Sequence, residues 1–261
     1  MHVVAIHHLT GTTDQLAREL AAVLGCTPYE ARARVLVPSG GPVVVASFAA
    51  GEPATACAAR LRDAGFAPLL LATAEVENDN RRCLVRQVRF DADQLHIVSR
   101  DNAQLALPFA KVALLLRGTG IISRCEVETK TEKKFDLGRA VVSGGLMLRK
   151  KATTVTEQVS QERQPFCHLY LPGHPPVVLR QNELDYSALG ADRQLTREAN
   201  FNWICTELRR RCPAARWDER LQTRAGQAQL LGPALDPERY LDLAITLIAT
   251  TTGKPAPSSL A

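Results

Sequence analysis

The chain has 261 residues, 46% hydrophobic and 23% charged, with a net charge of +5. That is enough for one large or two ordinary domains, and the apolar fraction supports a true core, which excludes global disorder. No apolar run approaches the ~18 residues of a membrane span, and the odd count of 7 cysteines at irregular spacing argues against a disulfide framework. In chain order, Val3–His8 reads as a strand, and Asp14 caps a helix that carries Leu16, Leu20, Val23 and Leu24 on one face and ends at Gly25. Thr27-Pro28-Tyr29-Glu30 has the spacing of a capping box with proline at the first helical position. Val43–Phe48 is a short buried strand, Ala54–Ala64 a helix stopped by Gly65, and Phe66–Ala72 a third strand. Residues 1–75 are therefore expected to form a small β-α-α-β-α-β sandwich with its helices on one sheet face.

Within that module the phrases LGCTPYEARARV and LRDAGFAPLLL are similar in rhythm to the C-terminal domain of the bacterial ribosomal stalk protein. The resemblance covers the fold alone. The lysine-rich helix with which that family contacts translation factors is replaced by Arg32, Arg34, Arg60 and Arg62, and a generic ferredoxin-like half-sandwich fits the same rhythm.

Glu75–Asn80 is polar and turn-rich and reads as a short linker. Leu84–Phe90, Leu95–Val98 and Leu105–Leu116 continue as an antiparallel meander, and Phe166–Leu171 and Val177–Leu179 supply later strands. Leu195–Arg211 is a helix capped by Thr196, with Phe201, Ile204, Cys205 and Leu208 as its core face. This order of strands, with Leu-Pro-Phe ahead of three leucines and Arg-Gly, and with one late helix, resembles a bacterial pleckstrin-homology-like domain. The resemblance implies a bent antiparallel sheet or barrel over residues 82–213, closed by that helix. The whole chain is thus expected to be α+β, with C-terminal helices over 214–253 (Trp217–Arg224, Gln227–Leu231 and a helix begun by Asp236-Pro237-Glu238) and a disordered tail at 254–261. The apolar stripe from Tyr240 to Ile248 reads as a face docked on its own domain.

Between the early and late strands lies an insertion, residues 121–164, that the resemblance does not account for. Ile121–Phe135 and Arg149–Gln164 alternate polar and apolar side chains and are rich in threonine and valine, which favours two long antiparallel arms. Charge is concentrated here. Residues 1–80 hold 5 basic and 8 acidic side chains, net −3, whereas Lys130–Lys151 alone holds 7 basic and 2 acidic. Lysines on a strand edge protect it against unwanted pairing, and they also suit phosphate groups on lipid or nucleic acid. Leu137, Val142, Leu146, Met147 and Leu148 sit at the tip beside glycines, with Arg139 among them and Lys130, Lys133, Lys134, Arg149, Lys150 and Lys151 on its shoulders. An apolar tip between basic shoulders is what a contact surface or an interfacial anchor needs.

No catalytic constellation is legible. The six histidines form no H-E-x-x-H pair, Cys167-His168 and His174 lack a ligand-spaced partner, and the glycine turns at 118–120 and 143–145 lack the strand-loop-helix context of a nucleotide site. The expectation is a non-enzymatic binding or scaffolding protein without cofactor or metal, presenting the ribbon to a protein partner or to another copy of itself. Peripheral binding to anionic membrane lipid is the alternative. Nucleic acid is the weaker third reading, because Phe135 is the only aromatic residue between 110 and 165. The N-terminus shows no secretory signal pattern, so a cytoplasmic location is expected, with the inner membrane surface as the peripheral variant.

Overall fold

A computed structural model describes residues 1–37, 40–135 and 149–253, and for 122–135 and 149–161 the backbone alone. The described chain divides into two compact units, residues 1–120 with 164–261, and residues 121–163. The fold is mixed α+β, with a three-stranded and a seven-stranded sheet among the described residues.

In the first unit, β1 (His2–His7) lies between β2 (Val43–Phe48) and β3 (Ala67–Ala72) and pairs antiparallel with both. Helices α1 (Thr13–Leu24), α2 (Pro28–Val35) and α3 (Gly51–Asp63) fall between the strands in the order expected. Local chemistry fixes their ends. The Thr27 hydroxyl accepts from the Glu30 N–H at 3.3 Å while the Glu30 carboxylate accepts from the Thr27 N–H at 2.8 Å, which satisfies two otherwise orphaned donors. Gly25 ends α1 at φ 68°, where a side chain would be strained. Thr12, not Asp14, caps α1, its hydroxyl accepting from the Gln15 N–H; Asp14 sits in the first turn and pairs with Arg32 at 2.7 Å.

The seven-stranded sheet runs β10-β7-β8-β9-β4-β5-β6, with β4 Cys83–Phe90, β5 Gln94–Ser99, β6 Gln104–Pro108, β7 Leu114–Phe135, β8 Arg149–Tyr170, β9 Val177–Arg180 and β10 Arg216–Leu221. It is an open sheet, not a closed barrel, and it is not wholly antiparallel. β10 with β7 and β4 with β9 are parallel pairs, none of them joined by a tight turn that would force opposite directions. The helix expected at Trp217–Arg224 is instead the edge strand β10. Its Asp218 and Leu221 are buried, and Arg220 bonds both the Asp218 carboxylate at 2.7 Å and the Gly41 carbonyl at 2.6 Å. Beside it, Gly118 on β7 has to be glycine. A Cβ there would lie 2.3 Å from Phe166 Cζ and 2.8 Å from Leu221 Cβ.

Alternation along the strands sends side chains into separate cores. Leu115, Cys167 and Leu169 face helix α4 (Arg197–Arg211), whose Phe201, Ile204, Cys205 and Leu208 are all fully buried. Thr196 caps α4 as the sequence indicates, accepting from the Ala199 N–H at 3.1 Å. Leu114, Leu116 and Phe166 face the opposite way, onto α5 (Arg224–Leu231) and α6 (Leu241–Gly253). Those helices also cover Val3, Ala5, Val44 and Leu71 of the three-stranded sheet, whose other face is closed by α1, α2 and α3. The apolar stripe of the last helix therefore docks internally, and α6 is a shared layer between two sheets.

Asp185, ahead of the 3-10 segment Tyr186–Asp192, accepts from the Ser187 N–H at 2.9 Å and from the Gln87 amide at 2.6 Å. The Ser187 amide first, then Gln87, hold its carboxyl down at about 2. A lowered native pKa stabilises above the unfolded value near 4 and loses that contribution as pH falls toward 2. Asp185→Asn, which keeps the acceptor and removes the titration, is therefore expected to flatten the acid limb of a urea-midpoint-against-pH curve. An unchanged limb below about pH 4 would contradict it.

Candidate functional site

The structure places the basic residues of the ribbon in two groups. Lys130, Lys133 and Lys134 lie toward the end of β7, and Arg149, Lys150 and Lys151 open β8, all within the unit 121–163. Leu137, Arg139, Val142, Leu146, Met147 and Leu148, the expected apolar tip, lie outside the described residues, as does the tail 254–261. Strands β7 and β8 are antiparallel neighbours where they leave the seven-stranded sheet: the Ala113 N–H donates to the Tyr170 carbonyl at 2.9 Å, and Gly120 lies beside the Gln164 carbonyl. Among the described residues, the 121–135 and 149–163 stretches of β7 and β8 are the only strands of the second unit.

The first unit holds a feature that sequence reasoning missed, a charged cluster built around Arg82. The Arg82 side chain is 1% exposed, 2.7 Å from Asp242, 3.4 Å from Asp79 and 3.9 Å from Glu77. Arg180 in β9 pairs with Asp79 and, at 3.3 Å, with Glu183. Tyr170 in β8 donates to Glu77 at 2.9 Å, and the Glu77 N–H donates to the Thr246 hydroxyl of α6 at 3.0 Å. Thr246 in turn donates to the Asp242 carbonyl one helical turn back. The stretch read as a polar linker is thus a strap that ties α6 to the seven-stranded sheet through buried charge. Nothing local announces this, because Arg82, Tyr170, Arg180 and Asp242 come from four separate segments.

The electrostatics follow from burial. Desolvation raises the Glu77 carboxyl above its usual range, although Tyr170 and Arg82 oppose the rise. Burial also acts to raise Asp79, but the hydrogen bond and charge of Arg180, with Arg82, outweigh it and hold that carboxyl below normal. Burial, then Glu77, keeps the Tyr170 phenol protonated. The His168 ring lies tilted against Phe166, centroids 5.0 Å apart, and burial followed by the charges of Arg82 and Arg180 pulls its pKa well down, so it is a neutral ring at neutral pH. Arg82 Nε and Nη2 are buried without a hydrogen-bond acceptor, so its charge is met mainly through Nη1.

Two surface depressions flank the cluster. One of about 680 Å³ is lined by Asp79, Arg81, Arg82, Arg100, Asp101 and Pro175. The other, about 440 Å³, is lined by Met1, Val3, Leu71, Tyr240, Asp242 and Leu243. The first mixes both signs of charge, and the second is lined mainly by apolar side chains together with Thr73, Arg239 and Asp242. Among the described residues no group of three or more His, Cys, Asp or Glu side chains is placed to hold a metal ion, and no helix is long and apolar enough to cross a membrane.

No family model, curated protein or solved structure matches this chain. Its function has to be argued from the residues and their arrangement.

Proposed function

We propose that this is a non-enzymatic binding or scaffolding protein that presents the ribbon to a protein partner or to another copy of itself, on a body related in arrangement to pleckstrin-homology-like domains. What supports the body's part in this reading is a sheet whose one face is closed by a single late helix, α4. The observation that carries the binding part is the second unit. Two strands of 22 residues each start in or return to a seven-stranded sheet, yet their 121–135 and 149–163 stretches form a compact unit of their own. A two-stranded ribbon is marginal in water, and its outer backbone edges are templates for pairing. Lys130, Lys133, Lys134, Arg149, Lys150 and Lys151 are basic residues of these arms, of the type that protects strand edges, and would give any partner an electrostatic handle. The apolar residues Leu137, Val142, Leu146, Met147 and Leu148 with Arg139 complete the proposed contact surface. Peripheral attachment to an anionic membrane through the same basic residues is the competing reading.

Replacing residues 121–163 by a short glycine-asparagine turn between Gly120 and Gln164 tests the proposal. The body is expected to keep its cooperative unfolding transition, while self-association by light scattering and recovery of partners from a lysate are both lost. Unchanged mass together with unchanged recovery would remove the ribbon from the function.

A further inference from the structure

We infer that the ribbon's occupant is a second copy of this chain, the two ribbons lying side by side in opposite directions about a two-fold axis. The inference rests on the binding role proposed for the ribbon and names its partner. Its basis is how charge is divided along the two arms. β7 and β8 are neighbours, antiparallel at Ala113–Tyr170 and Gly120–Gln164, and carrying that register along the two arms sets residues 121–129 in one half of the ribbon with 155–163, and residues 130–135 in the other with 149–154. The half next to Gly120 and Gln164 carries two basic residues, Arg124 and Arg163, against Glu126, Glu128, Glu157 and Glu162, a net of −2. The half next to Phe135 and Arg149 carries six basic residues against Glu132 alone, a net of +5.

A ribbon divided in this way is self-complementary in one orientation only. Side by side in the same direction, two copies set +5 against +5. In opposite directions each acidic half meets a basic half, twice over, which is the isologous pattern of a two-fold dimer. An acidic foreign protein or an anionic lipid surface accounts for the basic half and leaves the four glutamates of the other half opposed to it. The backbone supports the same pairing. Edge-to-edge contact turns two ribbons into a four-stranded sheet, removing one open edge from each. Val127, Thr129 and Thr131 on one arm, with Thr153, Val155 and Thr156 on the other, are residues that favour such a sheet. Attraction between charges in water weakens with added salt, whereas main-chain pairing does not, so the dimer is expected to loosen with ionic strength without vanishing.

Charge reversal on the full chain tests this. One variant reverses the acidic half (Glu126→Lys, Glu128→Lys, Glu157→Lys), and a second reverses the basic half (Lys133→Glu, Lys134→Glu, Lys150→Glu, Lys151→Glu). By light scattering the wild type is expected at twice the chain mass. Each variant alone is expected at the mass of one chain, its self-affinity reduced by roughly a hundredfold or more, since like charges now face each other. An equimolar mixture of the two is expected to return to the two-chain mass, because each reversed half again meets its opposite. Circular dichroism on each variant separates lost pairing from lost folding, and the recovery of the mixture does so independently. A wild type that stays at one-chain mass at its highest soluble concentration overturns the inference, as does a mixture that fails to recover. Salt-sensitive flotation of a monomeric wild type with acidic liposomes overturns it in favour of the membrane. If the wild type is monomeric while replacement of 121–163 still abolishes partner recovery, the ribbon's binding role survives and only its identity as a dimer contact is lost.

Discussion

Removal of residues 241–261 is expected to leave a chain that does not fold. Every residue from Leu243 to Ala249 is buried, including Leu243, Ile245, Leu247 and Ile248 at 3% exposure or less. Returning those four side chains to water costs roughly 1.5–3 kcal/mol each, roughly 6–12 kcal/mol together. The whole net stability of a domain is about 5–15 kcal/mol. The loss also strips two sheets at once, because Val3, Ala5, Val44 and Leu71 on one side and Leu114, Leu116 and Phe166 on the other pack in the core that holds α6. Expression of the truncated chain should give aggregated protein or a poorly dispersed amide spectrum with no cooperative melt. A soluble, cooperatively melting product would show that α6 is an appendage.

The second large effect is expected at Arg82. Arg82→Met keeps the length and apolar volume of the side chain and removes the cation that faces Glu77, Asp79 and Asp242. Asp79 keeps Arg180, but Glu77 keeps only the Tyr170 hydroxyl and the Asp242 carboxylate loses its nearest cation. Breaking a fully buried pair from one side costs about 3–5 kcal/mol; here the carboxylates left behind are 20% (Glu77), 44% (Asp79) and 49% (Asp242) exposed, so solvent screening brings the loss below that range. The sign with pH is fixed by Glu77. Its carboxyl is already raised in the native state, so the folded form holds a proton that the unfolded form has released, and stability falls as pH climbs from about 4.5 upward. Without Arg82 the native value rises further. The deficit of the variant should therefore be smaller near pH 5, where more of Glu77 is protonated, than near pH 8. Urea unfolding at the two values measures it, and adding Glu77→Gln to Arg82→Met should recover part of the loss at the higher pH. An equal deficit at both would mean that Glu77 is not the group left exposed to the field of its neighbours.

What the sequence discloses and what it withholds divide along the distance over which each signal acts. Thr27 and Glu30, Gly25, and Thr196 ahead of α4 are contacts within a few residues, and each is legible. The order of strands and helices in the N-terminal module follows from the same short-range chemistry. Strand β10 is not legible, because Arg-Trp-Asp-Glu-Arg-Leu has no β-branched residue and is a strand only by lying beside β7. Asp218 and Leu221, its buried positions, are three apart, a spacing that imitates a helix. The Arg82 cluster is illegible for a different reason. Glu77 and Asp79 lie in the same stretch as Arg82, but Asp242, Tyr170 and Arg180, which complete the cluster, are distant in sequence, so no local pattern in Glu75–Arg82 distinguishes a strap from a solvated linker. The ribbon is the reverse case, since its period-two alternation and its divided charge are written along the arms themselves.

The place of α6 also bears on how the chain is made. β1, β2 and β3 leave the ribosome well before Leu241–Gly253, so the nascent N-terminal sheet carries an uncovered oily face, Val3, Ala5, Val44 and Leu71, until that helix has been made. Until the final helix emerges, that face is a standing invitation to chaperones and to neighbouring nascent chains.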